Sequence, residues 1–176
     1  MVAALLRPWT GTAIRHIPAG SRFDVLDTRF AGLATDNRWN AAGEPTFYLA
    51  GDLGVALAEY ARHLREDVGG GPAAVQERAV DEIDVSLSAV LDLRDPQVRS
   101  AIGLRGGARR FLDRNVARAT ASFLRHTTAA EGLLVPSVAF LDDVSRWNLV
   151  LFLEKLPGNL SSFMRATYSR TVRISA

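Results

Sequence analysis

The chain has no cysteine, which excludes disulfides, thiolate nucleophiles and cysteine-held zinc. Lysine is almost absent: of 21 basic residues, Lys155 is the single lysine and the other 20 are arginines. A nucleic-acid binder more often carries a dense basic stripe that includes lysines. Here the arginines are dispersed among 19 acids and leave a formal net charge of only +2, so direct nucleic-acid binding is a minor reading. No run of about eighteen apolar residues exists, so nothing reads as a membrane span. The short apolar start before Arg7 lacks the basic leader and long apolar stretch of a secretory signal. A cytoplasmic soluble protein is the expectation. No glycine-rich fingerprint of the Rossmann or P-loop type follows a strand, so a nucleotide would need another device. His16, His63 and His126 stand in unrelated contexts and offer neither a metal site nor a catalytic Ser/His/Asp set.

What remains is enough for one domain spanning 1–176, large enough to bury a core by itself. Thr12 to Ile17 reads as a short strand, residues 18–46 largely as loop, and Thr46 to Ala50 as a strand. Asp52 can cap a helix running to about Glu66, with Leu53, Leu57, Tyr60, Ala61 and Leu64 as its apolar stripe. Glu59 lies off that stripe, in line with Val55, Ala56 and Arg62. Gly69-Gly70-Gly71-Pro72 reads as a loop. Two strands are expected between Arg78 and Leu93, and Asp95-Pro96 signals a helix start with Gly103 as its stop. One long amphipathic helix is expected over 108–129, through Phe111, Leu112, Val116, Ala119 and Phe123. Strands at about 132–140 and 147–154 come next, then an alternating tail from Met164 to Ile174. Because strands and helices do not alternate regularly, the fold class is α+β.

Four polar residues at wide spacings suit a common task. Arg38 could make paired, charge-assisted bonds to a pyrophosphate, and Tyr48 could pack against a flat heteroaromatic ring. Glu59 could stabilise an oxocarbenium-like transition state, as carboxylates do in glycoside cleavage. Ser137, in an apolar strand, needs a hydrogen-bond partner that a carboxamide could supply. Together they point toward cleavage of NAD+ at its nicotinamide bond. Singly, each has a plainer structural role: Arg38 pairing with Asp36, Tyr48 in a core, Glu59 paired with Arg62 or His63, Ser137 bonded to backbone.

The segments Ala13-Ile14-Arg15-His16, Arg38-Trp39-Asn40 with Gly43, Tyr48-Leu49-Ala50, Ala56-Leu57-Ala58-Glu59 and Gly132-Leu133-Leu134-Val135-Pro136-Ser137 occur in fixed order. This set, from about residue 12 to 155, resembles the RES domain, a family named for arginine, glutamate and serine positions. The resemblance implies a fold similar to ADP-ribosyltransferases, with two packed mixed sheets and flanking helices around an NAD+ cleft. It implies the toxin of a toxin–antitoxin pair, with NAD+ as substrate and inorganic phosphate as co-substrate. Phosphorolysis would give nicotinamide and ADP-ribose-1″-phosphate; hydrolysis would give ADP-ribose. The alternatives are a protein mono-ADP-ribosyltransferase and a non-catalytic interaction module. The implied partner is an Xre-type helix-turn-helix antitoxin that blocks the active site, in a hetero-oligomer, and a homo-oligomer is also open. The implied roles are pyrophosphate anchoring by Arg38 with Arg15, ring positioning by Tyr48, cation stabilisation by Glu59 and retention of the nicotinamide end by Ser137. No metal is called for. Where the family usually has a glycine pair, Asp36-Asn37 stand here, and asparagine tolerates the left-handed backbone such a turn needs.

Overall fold

In the computed structural model, residues 2–33, 37–67, 76–156 and 158–174 are described, without the side chains of residues 63–67. The Gly69-Gly70-Gly71-Pro72 tract and Asp36 lie outside them. The strands are β1 (Arg7–Pro18), β2 (Thr46–Ala50), β3 (Gln76–Asp92), β4 (Gly132–Pro136), β5 (Trp147–Phe152) and β6 (Met164–Ile174). The helices are α1 (Leu53–Asp67), α2 (Pro96–Ala101) and α3 (Arg114–Thr127).

β3 sets the frame. Ile83, Val85 and Leu87 are buried on one face while Glu82, Asp84, Ser86 and Ser88 are exposed on the other, the period of a half-buried strand. Two strands were expected here. The chain instead makes a single strand of 17 residues, because no Gly, Pro or Asn interrupts it. β3 pairs antiparallel with β1 and with β6, and its last residues, from Val90, pair parallel with β4. β1 accordingly starts at Arg7 rather than at Thr12, since β3 gives it a partner along its length.

β4, β5 and β2 continue the ladder, and β2 returns to β1 through the pair Ile14↔Ala50. The order is β1-β2-β5-β4-β3-β6, with β1 also paired to β3, so the pairings join all six strands into one sheet that closes on itself. Two packed sheets were expected, and the pairings give one. The reason is the length of β3, whose end overruns β6 and reaches β4.

All five residues of β4 are buried. Leu134 faces a core with Phe47, Ile83, Leu149 and Leu151. Leu133 and Val135 face a second core with Val150, Phe152, Ala117, Ala121 and Leu124. A strand covered on both faces reads as a continuous apolar run, which this one does.

The helix expected over 108–129 is broken at Asp113. Residues 108–112 form a 3₁₀ turn, and the Asp113 carboxylate accepts the Asn115 N–H at 2.8 Å to cap α3. The break resets the helical phase. Ala117, Ala121 and Leu124 are buried, while Leu112 and Phe123, expected on the buried stripe, are about half exposed.

α1 is capped as expected, with the Val55 N–H donating to Asp52 Oδ1 at 2.9 Å. Its buried face is the other one: Val55 and Ala56 pack against Ala50, whereas Leu53 and Leu57 are only half-buried. Small side chains let the helix approach the sheet, and this turns Glu59, one turn on, inward. α2 starts at Asp95-Pro96 and Gly103 comes after it at φ 72°, as its sequence indicates. β6 forms as expected, but Tyr168 is 61% exposed beside a register shift opposite Val80/Asp81. Among the described residues, no helix is long and apolar enough to cross a membrane.

Candidate active site

Segment 37–40, β2, α1, the end of β4 and the start of β5 surround a cleft with two lobes. The first encloses about 190 Å³ and is lined in part by Arg38, Trp39, Arg62, Arg114 and Val138. The second encloses about 340 Å³ and is lined in part by Arg15, His16, Ala56 and Tyr60. Asn37, Tyr48, Glu59 and Asn148 line both. The divide is therefore built around Tyr48 and Glu59.

Glu59 Oε1 accepts the Ser137 hydroxyl at 2.6 Å, the Val138 N–H at 3.0 Å and the Asn148 amide at 3.2 Å. Glu59 Oε2 lies 3.7 Å from Arg62 Nε. Ser137 is fully buried, and its own N–H donates to the Arg146 carbonyl at 2.9 Å. Its hydroxyl also accepts the Ala139 N–H at 3.3 Å. Ser137 lines neither lobe. The Ser137 hydroxyl, expected at the nicotinamide end, gives its proton to Glu59 within the protein.

Tyr48 donates its hydroxyl to Asn40 Oδ1 at 2.5 Å, and the fully buried Asn40 donates in turn to the Ala41 carbonyl at 2.8 Å. Burial pushes the Tyr48 phenol well above its ordinary pKa, so it stays neutral. Arg38 Nη1 donates to the Phe111 and Leu112 carbonyls, both at 2.8 Å, at the end of the 3₁₀ turn. Arg118 donates to the Asn37 carbonyl at 3.1 and 2.6 Å, and Ser122 to Glu44 at 3.0 Å. α3 thus holds the loop that carries Arg38. No described non-glycine residue has positive φ, and the turn at Asp36-Asn37 lies partly outside the described residues.

Arg15 sits in the second lobe, apart from Arg38 in the first. Its Nη1 donates to the Val25 carbonyl at 2.8 Å and its guanidinium lies 3.8 Å over the Phe47 ring. Burial lowers its pKa to about 10, partly offset by Asp27 and Asp24, so it remains a cation at neutral pH. His16 accepts from Arg78 Nε through Nδ1 at 3.0 Å, which leaves Nε2 as donor toward the Ala56 carbonyl at 3.4 Å. Burial, then the Arg78 charge, lower its pKa and keep it neutral. Among the described residues, no group of three His, Asp or Glu side chains could hold a metal.

Sequence reasoning gave no role to Asn40, Arg114 or Asn148. Asn148 carried the signal that singled out Ser137, a polar residue at the mouth of an apolar strand.

A family model described as RES domain matches residues 7–169. The chain belongs to the RES domain family. A chain in the crystal structure of the M. tuberculosis MbcT–MbcA toxin–antitoxin complex is similar, with a TM-score of 0.68 and 21% identity. The match covers 99% of this chain and 90% of that one. At that identity the likeness is one of fold. No curated protein matches the sequence. In this RES domain the residues that carried the resemblance do meet: Arg38 and Glu59 line one lobe, and Ser137 is bonded to Glu59.

Proposed function

We propose that this RES domain is the toxin of a toxin–antitoxin pair and cleaves the nicotinamide–ribose bond of NAD+. The observation that carries the reading is the state of Glu59 at the divide between the lobes. Three donors, none of them charged, hold one carboxylate oxygen. The other oxygen, Oε2, has Arg62 Nε 3.7 Å away and no closer donor among the described residues, and it is the one that would meet the developing cation.

Nicotinamide packs against Tyr48, with C1′ of its ribose beside Glu59. The C1′–N bond breaks, its electron pair neutralises the pyridinium nitrogen, and the positive charge passes to the sugar. Glu59 Oε2 stabilises that charge. The arrangement is fixed before reaction, so little reorganisation accompanies the step. Arg38, with Arg62 and Arg114 in the same lobe, would face the pyrophosphate. Arg15 would reach the substrate from the other lobe, not beside Arg38. Ser137 acts through Glu59 as a positioning residue. Phosphate, water or a protein side chain then attacks C1′ and gives up its proton. With phosphate, the products are nicotinamide and ADP-ribose-1″-phosphate.

The fold likeness to a chain of a toxin–antitoxin complex supports an antitoxin partner; the partner proposed is an Xre-type antitoxin that would fill this cleft. The cytoplasm, where NAD+ is plentiful, would be its place of action. The test is to incubate purified protein with NAD+, with and without inorganic phosphate, and to identify products by mass spectrometry. A phosphorylated ADP-ribose formed only with phosphate supports phosphorolysis, and plain ADP-ribose supports hydrolysis. Modified protein bands in cell extract with labelled NAD+ would instead identify a mono-ADP-ribosyltransferase. Intact NAD+ in every tube would sink all three and favour a binding module.

A further inference from the structure

Asn148 lines both lobes of the cleft and is the second residue of β5, opposite Ala50 on β2 and Val135 on β4. A carboxamide is out of keeping with the rest of the strand, since Leu149 to Phe152 are all buried. A polar side chain in such a setting is held by its partners. The partner is Glu59, whose Oε1 accepts from Asn148 Nδ2 at 3.2 Å. Chemistry fixes that orientation. A carboxylate oxygen only accepts, so turning Asn148 Oδ1 toward it would set two acceptors against each other.

The three donors to Oε1 are not equivalent. Ser137 and Val138 are neighbours in sequence and approach from the end of β4. Asn148 approaches from β5. Two donors on one short segment locate the oxygen but leave the carboxyl plane free to turn about it. A third donor on a separate strand removes that freedom. The position of Asn148 is itself tightly set. The Gly51 N–H donates to the Trp147 carbonyl at 2.8 Å, and a Cβ on Gly51 would come within 2.6 Å of the Trp147 indole. The close approach of β2 to the residue before Asn148 thus requires glycine.

We propose that Asn148 is a positioning residue that fixes the plane of the Glu59 carboxylate, with Oε1 held by the protein and Oε2 presented to substrate. The inference rests on the reading of Glu59 as the carboxylate that stabilises the ribosyl cation, and extends it to a residue outside the five segments that carried the resemblance.

The test is a double-mutant cycle for nicotinamide release. Asn148→Ala should lower kcat by about tenfold with KM within about twofold, as expected for lost orientation rather than lost binding. Asn148→Asp has nearly the same shape but sets a second carboxylate against Oε1, and should cost more than Ala. In a Glu59→Ala background Asn148→Ala should cost nothing further. An equal loss in both backgrounds, or a loss confined to KM, would overturn the proposal. A measurement free of catalysis separates its failure from that of the NAD+ reading. In ¹⁵N-labelled protein, the Asn148 side-chain amide resonances should move on Glu59→Ala, a variant that leaves Asn148 in place. Unmoved resonances would contradict the proposal even if NAD+ were cleaved, and moved resonances would support it even if NAD+ were not.

Discussion

Glu154 and Glu59 are both carboxylates held by the protein, but they are held differently. Glu154 takes Arg125 Nη1 at 3.0 and 2.9 Å, and Arg125, 3% exposed, also donates to Thr46 Oγ1 at 2.6 Å and lies 4.3 Å over the Phe152 ring. Opposite charges at hydrogen-bond distance tie α3 to the segment after β5, Arg125 also bonding the start of β2, and largely cancel each other's field. Glu59 is fixed by a hydroxyl, a backbone amide and a carboxamide, with Arg62 Nε farther off at 3.7 Å. Neutral donors fix its position, and the more distant Arg62 offsets its charge less than Arg125 offsets that of Glu154. The first arrangement serves the fold. The second suits a developing cation.

Substitutions can break this comparison in either direction. The largest effect is expected from Glu59→Gln, which keeps the shape and removes the charge. Nicotinamide release should fall roughly 100- to 1000-fold, while the melting temperature and NAD+ binding stay near wild type. Unchanged turnover would remove Glu59 from the mechanism. Arg125→Ala should do the reverse. It strands Glu154 and opens space under Phe152, costing about 3 kcal/mol in urea denaturation, the lower end for breaking a buried pair because Glu154 is partly solvated. Turnover per folded molecule should be kept. Ser137→Ala should lower kcat about tenfold, the equivalent of one lost hydrogen bond to a charged group, with little change in KM. A rise in KM alone would return Ser137 to direct substrate binding.

The smallest effect is on pH dependence. His16 has a lowered pKa in the folded protein, so below about pH 6.5 the unfolded chain takes up a proton that the folded chain does not. Stability from this group is complete above that pH and falls as pH drops through it toward the folded value. A His16→Gln variant should show a flatter decline over that window in denaturant titrations. An equal slope in both proteins would show that His16 titrates freely when folded.

Much of this was legible in the chain because its causes are local. Asp52 and Asp95-Pro96 start their helices as their chemistry dictates, and Thr46 to Ala50 forms its strand. Tyr48 and Glu59 do lie at a cleft. What was hidden depends on distant partners. The stripe through Leu53 and Leu57 is the more apolar face of α1, yet Val55 and Ala56 are buried because small side chains fit against β2. β3 has the alternation expected of its two strands, and its pairing with β1 runs on where a turn was expected to divide them. The Ser137–Glu59 bond joins positions 78 apart in sequence, and nothing near either residue announces the other. Asn148 completes the same cluster from a third segment.

The most direct test of the account is nicotinamide release from NAD+ by wild-type protein and by Glu59→Gln, at equal concentrations of folded protein and saturating NAD+. The account predicts steady release by the wild type and almost none by the variant, with calorimetry showing NAD+ bound to both. Equal release by the two proteins, or none by either, would contradict it.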